Sequence, residues 1–255
     1  MRKIILINFF IHFFISFLFS QEGNYIYGSH FTKKIENSSN IESKGIFEKM
    51  FFGDSNASVE FFYFPSFDGT SGFRIVRDPL DTSNIFEIKY ISNYKDAQNE
   101  VLNRYKSIGI PVNLALNITD DIKNLIIEHN KTIHSKQFEE VIKLYKVETI
   151  SFSVSDQFAE KFYKNLFYFI NNFKARKSPP VISSDNVINR RTVILDGYSV
   201  LFRIVGDDEV WSLNIVDPQG NALKMSNLCL QIISDALKNE FDESKYMSIL
   251  NSFKY

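Results

Sequence analysis

The chain has one cysteine in 255 residues, so Cys229 has no second thiol and no internal disulfide forms. Small extracellular scaffolds depend on such staples, whereas a chain of this length buries enough core to do without them. An excess of positive charge is also missing. Lys and Arg number 29 against 30 Asp and Glu, for a net charge of −1. That balance gives no electrostatic case for nucleic acid, which requires a concentrated basic surface, and does not match a polybasic membrane-surface protein. The 10 glycines nowhere form a phosphate loop or a dinucleotide fingerprint. No Gly-X-Ser-X-Gly elbow presents a serine nucleophile, and Cys229, inside NLCLQII, reads as a buried structural thiol. None of these patterns implies a cofactor.

Metal-ligand spacing is absent as well. His129 and His134, with Glu128 beside them, form the only histidine cluster. Their five-residue interval does not bring both rings to one helix face, as the four-residue spacing of a zinc helix does. His30 would join them only through folding, so no metal site is assigned. Asp207-Asp208-Glu209 is the densest acidic group, but it lacks the continuation of a calcium loop and reads as a charged hairpin turn. The catalytic candidates are therefore His129, His134, Asp68 and Asp196, which would have to be gathered from distant positions. Arg74, Arg203 and Trp211 are the candidate binding side chains.

What is present begins with MRKIILINFFIHFFISFLFS, residues 1–20. Arg2 and Lys3 precede an apolar run, and Ser20 offers a small residue before a cleavage point, the three parts of an export signal. An uncleaved anchor is the rival reading, disfavoured by His12 within the run and by the polar QEGN that follows. Without Arg2 and Lys3 the balance is 27 against 30, a net charge of −3. No later segment approaches a membrane span. Export with a single cysteine and an Asn/Lys/Ile/Phe-rich composition points to a bacterial envelope, in the periplasm or at the cell surface. Four Asn-X-Ser/Thr triplets, at Asn37, Asn56, Asn117 and Asn130, are read as chance in an Asn-rich chain.

Beyond a polar leader at 21–45, period-two alternation marks strands at 59–64, 72–76, 85–91 and 147–154. Helical spacing marks 94–108, stopped by Gly109 and Pro111. A helix at 121–128 is expected to bury Ile122, Leu125 and Ile126, with a further turn or two around Phe138, Val141, Ile142 and Tyr145. The strongest helix follows Ser155 as its cap, with Phe158, Phe162, Leu166, Phe169, Ile170 and Phe173 on one stripe. ARKSPPVISSDN breaks the pattern and supplies a connector at 178–190. The region 191–255 then holds alternating strands and a closing helix with Leu223, Leu228, Ile232, Ile233, Ala236 and Leu237 inward. A short final helix at 243–253 completes the chain.

One likeness within the chain needs an explanation. FDGTSGFRIVRD, residues 67–78, and LDGYSVLFRIV, residues 195–205, both place Asp-Gly shortly before Phe-Arg-Ile-Val. Turn chemistry followed by strand alternation accounts for both copies. The arginines stand at different distances from their Asp-Gly pairs, so a duplicated half remains an alternative and not a detected repeat.

YKVETISFSVSDQFAEKFYKNLFYFINNF, DGYSVLFRIVGDDEVWSLNIVDPQGNALKMSNLCLQII, PSFDGTSGFRIVRD and FEIKYISN together resemble a group of uncharacterised exported proteins of Bacteroidota. The resemblance implies an envelope location and one recurrent architecture, and it carries no activity onto any residue. The expected fold is α+β, with two antiparallel sheet regions and several packed helices, either as two similar halves or as one domain spanning 46–177 and 191–255. The expected role is non-enzymatic, binding or protecting an envelope partner in the manner of an immunity protein. A hydrolase assembled from distant residues and a structural surface component are the alternatives.

Overall fold

The segment ASVEFFYFP alternates apolar residues around a single glutamate, and it forms the centre of a sheet. The computed structural model describes residues 24–28, 31–37, 45–53, 57–78, 80, 82–106, 119–173, 197–206 and 209–253. In chain order the described elements are β1 (Asn24–Gly28), β2 (Phe31–Asn37), α1 (Ile46–Phe51), β3 (Ala57–Pro65), β4 (Ser71–Arg77) and β5 (Asn84–Ile91). They continue with α2 (Tyr94–Tyr105), α3 (Asp120–Leu144), β6 (Val147–Val154) and α4 (Asp156–Asn172). Strands β7 (Tyr198–Val205) and β8 (Glu209–Val216) precede α5 (Asn221–Leu237) and α6 (Glu243–Ser252). The fold is α+β, with an antiparallel sheet and several packed helices.

The strands form one sheet of order β1-β2-β8-β7-β3-β4-β5-β6, not two sheet regions. The two expected groups merge because β3 pairs with β4 on one side and with β7 on the other. Phe61 lies opposite both Phe73 and Phe202, Glu60 opposite both Arg74 and Arg203, and Val59 opposite both Ile75 and Ile204. This register explains the repeated Phe-Arg-Ile. Both copies flank the same three residues of β3, so matching side chains meet Val59, Glu60 and Phe61 from either side.

One face of the sheet carries Val59, Phe61, Phe73, Ile75, Phe86, Phe202 and Leu213 into the main core beneath α4, α5 and α6. Aromatic rings meet directly across the strands: Phe73 and Phe86 centroids are 4.6 Å apart, and Phe61 and Phe202 are 5.3 Å apart. Each such pair contributes roughly 0.5–1.5 kcal/mol beyond its buried area. Helix α4 starts where Ser155 Oγ accepts a hydrogen bond from the Phe158 N–H at 3.1 Å, and its expected stripe faces this core. Helix α6 is tied to α5 by Asp235, whose Oδ2 accepts from the Tyr246 hydroxyl at 2.8 Å and from Lys245 Nζ at 2.6 Å.

Three expectations differ from this structure. The polar leader contains β1 and β2, and β2 joins the sheet against β8. Lys33 makes the difference: it is buried and donates from Nζ to the carbonyl of Asn171 in the last turn of α4 at 3.0 Å, satisfying a helix-end acceptor. Burial lowers the Lys33 pKa below the ordinary lysine value. Second, α3 is one continuous helix of 25 residues. Third, Ile122 and Leu125 are not buried but 46% and 69% exposed, while Ile133 and Val141 are the buried positions. Helix α2 packs on the carboxy-terminal half of α3, where Ala97 and Val101 meet Val141 and the Tyr105 hydroxyl donates to Glu140 at 2.6 Å. Its 12 residues span ~18 Å of a helix ~37 Å long, so the cover ends before Leu125. Leu102, Leu223 and Leu237 are exposed as well. The 178–190 connector lies outside the described residues.

Two outcomes follow from the packing. A Cβ added at Gly72 would stand 2.6 Å from the Phe61 carbonyl oxygen, inside the β3–β4 pairing. Gly72→Ala is expected to lower stability by about 1–3 kcal/mol in a urea titration. The hydrogen bonds from Lys245 and Tyr246 hold the Asp235 carboxyl below the usual aspartate range. Its folded pKa lies under the unfolded value of about 3.9, so its stabilisation is full above that pH and is lost as pH falls through the folded value. Asp235→Asn is expected to flatten the loss of stability below about pH 4, measured as melting temperature against pH.

Candidate functional site

Arg203 and Arg74, two of the candidate binding residues, lie on the second face of the sheet in one continuous row. The row crosses seven strands as Lys34, Ser212, Arg203, Glu60, Arg74, Glu87 and Ser151, each opposite the next. Arg203 is 7% exposed and donates from Nη1 to Glu60 Oε2 at 2.5 Å, and its other terminal nitrogen pairs with Glu48 of α1. Arg74 pairs through Nε with Glu87, which also meets Lys89 at 3.2 Å. Burial alone would lower the pKa of Arg203, but the charges of Glu60 and Glu48 and their hydrogen bonds outweigh it and raise the value. The face carrying Arg203 is paired and covered.

Helix α1 provides the cover. Its short sequence IFEKMF is anchored at one end by Glu48 on Arg203 and at the other by Lys89 Nζ, which donates to the Phe51 carbonyl at 2.7 Å. Phe51 and Phe52 pack against Phe62, Ile91 and Leu201. The Arg74 guanidinium and the Lys89 ammonium stand 5.1 and 5.5 Å from the centre of the Phe52 ring. Arg74 and Arg203 are thereby engaged in holding a layer onto the sheet.

The remaining candidates are placed apart. Asp68, in the β3–β4 turn, has a side chain 70% exposed and pairs with Lys95 of α2 at 3.3 Å. His129 and His134 are exposed on α3, and His134 Nδ1 lies 3.1 Å from Gln137 Oε1. Asp196 and His30 lie outside the described residues. Trp211 on β8 donates from Nε1 to Glu209 at 2.9 Å, and its ring packs beside Phe167 and beneath the Lys33 ammonium. Among the described residues no three His, Cys, Asp or Glu side chains are grouped to hold a metal ion. Cys229 is fully buried, and burial pushes its thiol well above the ordinary value, away from nucleophilic use.

Two surface features were not singled out from sequence. The outer edge of β6 has no paired strand among the described residues. A groove of about 480 Å³ runs between α5 and α6. One wall is Asn221, Lys224, Asn227 and Gln231, spaced three, three and four residues apart along α5, and Leu228, Ile249 and Phe253 supply the apolar floor. That spacing in NALKMSNLCLQ is the one signal from which the wall was legible. Comparison with protein-family models, with curated proteins and with solved structures returned no match.

Arg203→Met removes the buried hydrogen bond that Glu60, 1% exposed, accepts from Arg203. The expected loss is about 3–5 kcal/mol of stability in chemical denaturation. His129→Ala and His134→Ala, on an exposed helix face, are expected to change it by less than about 0.5 kcal/mol.

Proposed function

We propose that the protein is a non-enzymatic binding protein of the bacterial envelope, and that it captures an extended segment of a protein partner as an added strand on β6. The observation that carries this reading is the character of the β6 edge. The strand VETISFSV pairs with β5 through eight consecutive residues without a bulge. It contains no Lys, Pro or Gly, the residues with which proteins usually blunt an edge. Thr149, Ser151 and Ser153 are exposed on one face, while Ile150 and Phe152 on the other are half-buried at the margin of the main core. An added strand would continue both faces, with apolar residues beside Phe152 and Phe241 and hydroxyl-bearing residues beside Thr149 and Ser151.

Charge defines the partner further. Glu148 is the only ionisable residue of β6, and the hydrogen bond from Tyr90, followed by that from Ser92, lowers its pKa. The Tyr90 hydroxyl donates to Glu148 at 2.6 Å. A fixed negative charge at the start of the strand favours a partner segment with a basic residue at the facing end. Export rests on the signal-like residues 1–20, and no described helix is long and apolar enough to cross a membrane.

The test is capture from envelope extract with the mature chain and with a Thr149→Lys/Ser151→Lys variant, which places charge on an exposed edge without touching the core. A saturable partner is expected, with protection of residues 147–154 from hydrogen exchange on binding and at least about tenfold weaker capture by the variant. No saturable partner, or capture unchanged by the variant, overturns the reading. Concentration-dependent sedimentation of the isolated chain that the variant abolishes assigns the edge to self-assembly instead.

A further inference from the structure

We propose that the groove between α5 and α6 is a binding site for an acidic saccharide, a hydroxyl-rich ring bearing one carboxylate. The inference starts from unspent hydrogen-bonding capacity. The side chains of Asn221, Lys224, Asn227 and Gln231 are exposed, and among the described residues they make no hydrogen bond or ion pair. Three of the four are amides, each offering two donors and one acceptor oxygen in fixed proximity. Sugar hydroxyls each donate and accept, so adjacent hydroxyls match an array of amides that neither a cation nor an apolar molecule satisfies. An apolar occupant would cover these amides without replacing their water, at a cost for every group left unpaired.

The floor supplies the other half of the match. Ile249 offers partly exposed aliphatic surface beside the buried Leu228, and Phe253 adds a partly exposed aromatic ring at the end of α6. A pyranose has an apolar C–H face and a polar rim, and this groove has an apolar floor and a polar wall. Its volume of about 480 Å³ lies within the range of small-molecule sites.

Charge selects the acidic form. Among the described residues Lys224 is the only ionisable side chain lining the groove, and none of the lining side chains is a carboxylate. The amino-terminal end of α5, at Asn221, adds partial positive charge to the same wall. One ammonium balances one carboxylate. A phosphate at neutral pH carries up to two negative charges and is held best by the bidentate guanidinium fork, which the groove lacks.

The experiment is a nuclear magnetic resonance titration of the isotope-labelled mature chain with glucuronic acid, with glucose and inorganic phosphate as comparators. Saturable shifts are expected at backbone amides of α5 and α6, with glucose at least about tenfold weaker. Lys224→Gln is expected to weaken glucuronate about tenfold and bring it to the level of glucose, whereas Asn227→Ala weakens both sugars. Lys143→Gln, on the distant α3, leaves both titrations unchanged. Absence of saturable shifts in the groove overturns the proposal. So does phosphate binding as tightly as glucuronate, or a Lys224→Gln variant that binds glucuronate as the parent does.

Discussion

Glu60 sits on the middle strand of the sheet with 1% of its surface exposed, and Arg203 on the neighbouring strand donates to it at 2.5 Å. A pair removed from water to this degree adds little net stability over a well-packed apolar substitute. Its consequence is specificity. A slip of one residue between β3 and β7 would carry Glu60 to the opposite face, among Phe73, Phe162 and Phe202, where nothing balances a carboxylate. The correct register is thus separated from its nearest competitors by the cost of an unpaired buried charge. The same constraint reaches β4, where Arg74 faces Glu60 across the strand and pairs with Glu87.

The ion row also fixes what the second face can hold. A six-residue helix has little stability of its own, yet α1 is retained because Glu48 reaches Arg203 and Lys89 reaches the Phe51 carbonyl. Phe51 and Phe52 then pack on the same face, with the Phe52 ring against Arg74 and Lys89. The molecule has a conventional aromatic core on one side of the sheet and a mixed ionic and aromatic layer on the other. Its open features lie at the periphery, at the β6 edge and along α5.

Strands β3 to β8 and helix α4 were legible in the sequence because their faces alternate or repeat with the period of a single element. The pairing that unites the sheet was not, because β3 and β7 are separated by more than 130 residues and local periodicity carries no information about distant partners. Strand β2 was hidden by its lysines, since Lys33 looks solvated until the end of α4 comes down upon it. In α3 the apolar residues Ile122 and Leu125 obey helical spacing, but periodicity does not say whether a neighbour reaches that far. Arg74 and Arg203 were singled out as candidate binding side chains, and their repeated context was explained by turns and strands. What sequence could not show is that both arginines lie opposite one glutamate. The groove was missed because single polar residues on an exposed helix face are ordinary until a second helix makes them a wall.

The most direct measurement of the central claim is a double-mutant cycle between Glu60 and Arg203, using Glu60→Gln, Arg203→Gln and the double variant in equilibrium denaturation. The account predicts that the two losses are strongly non-additive, with a coupling energy of at least about 1.5 kcal/mol, because the two side chains share one buried, charge-assisted hydrogen bond that either change removes. A coupling energy below about 0.5 kcal/mol, the range of independent sites, would contradict it and show that the row of charges does not hold the central strands together.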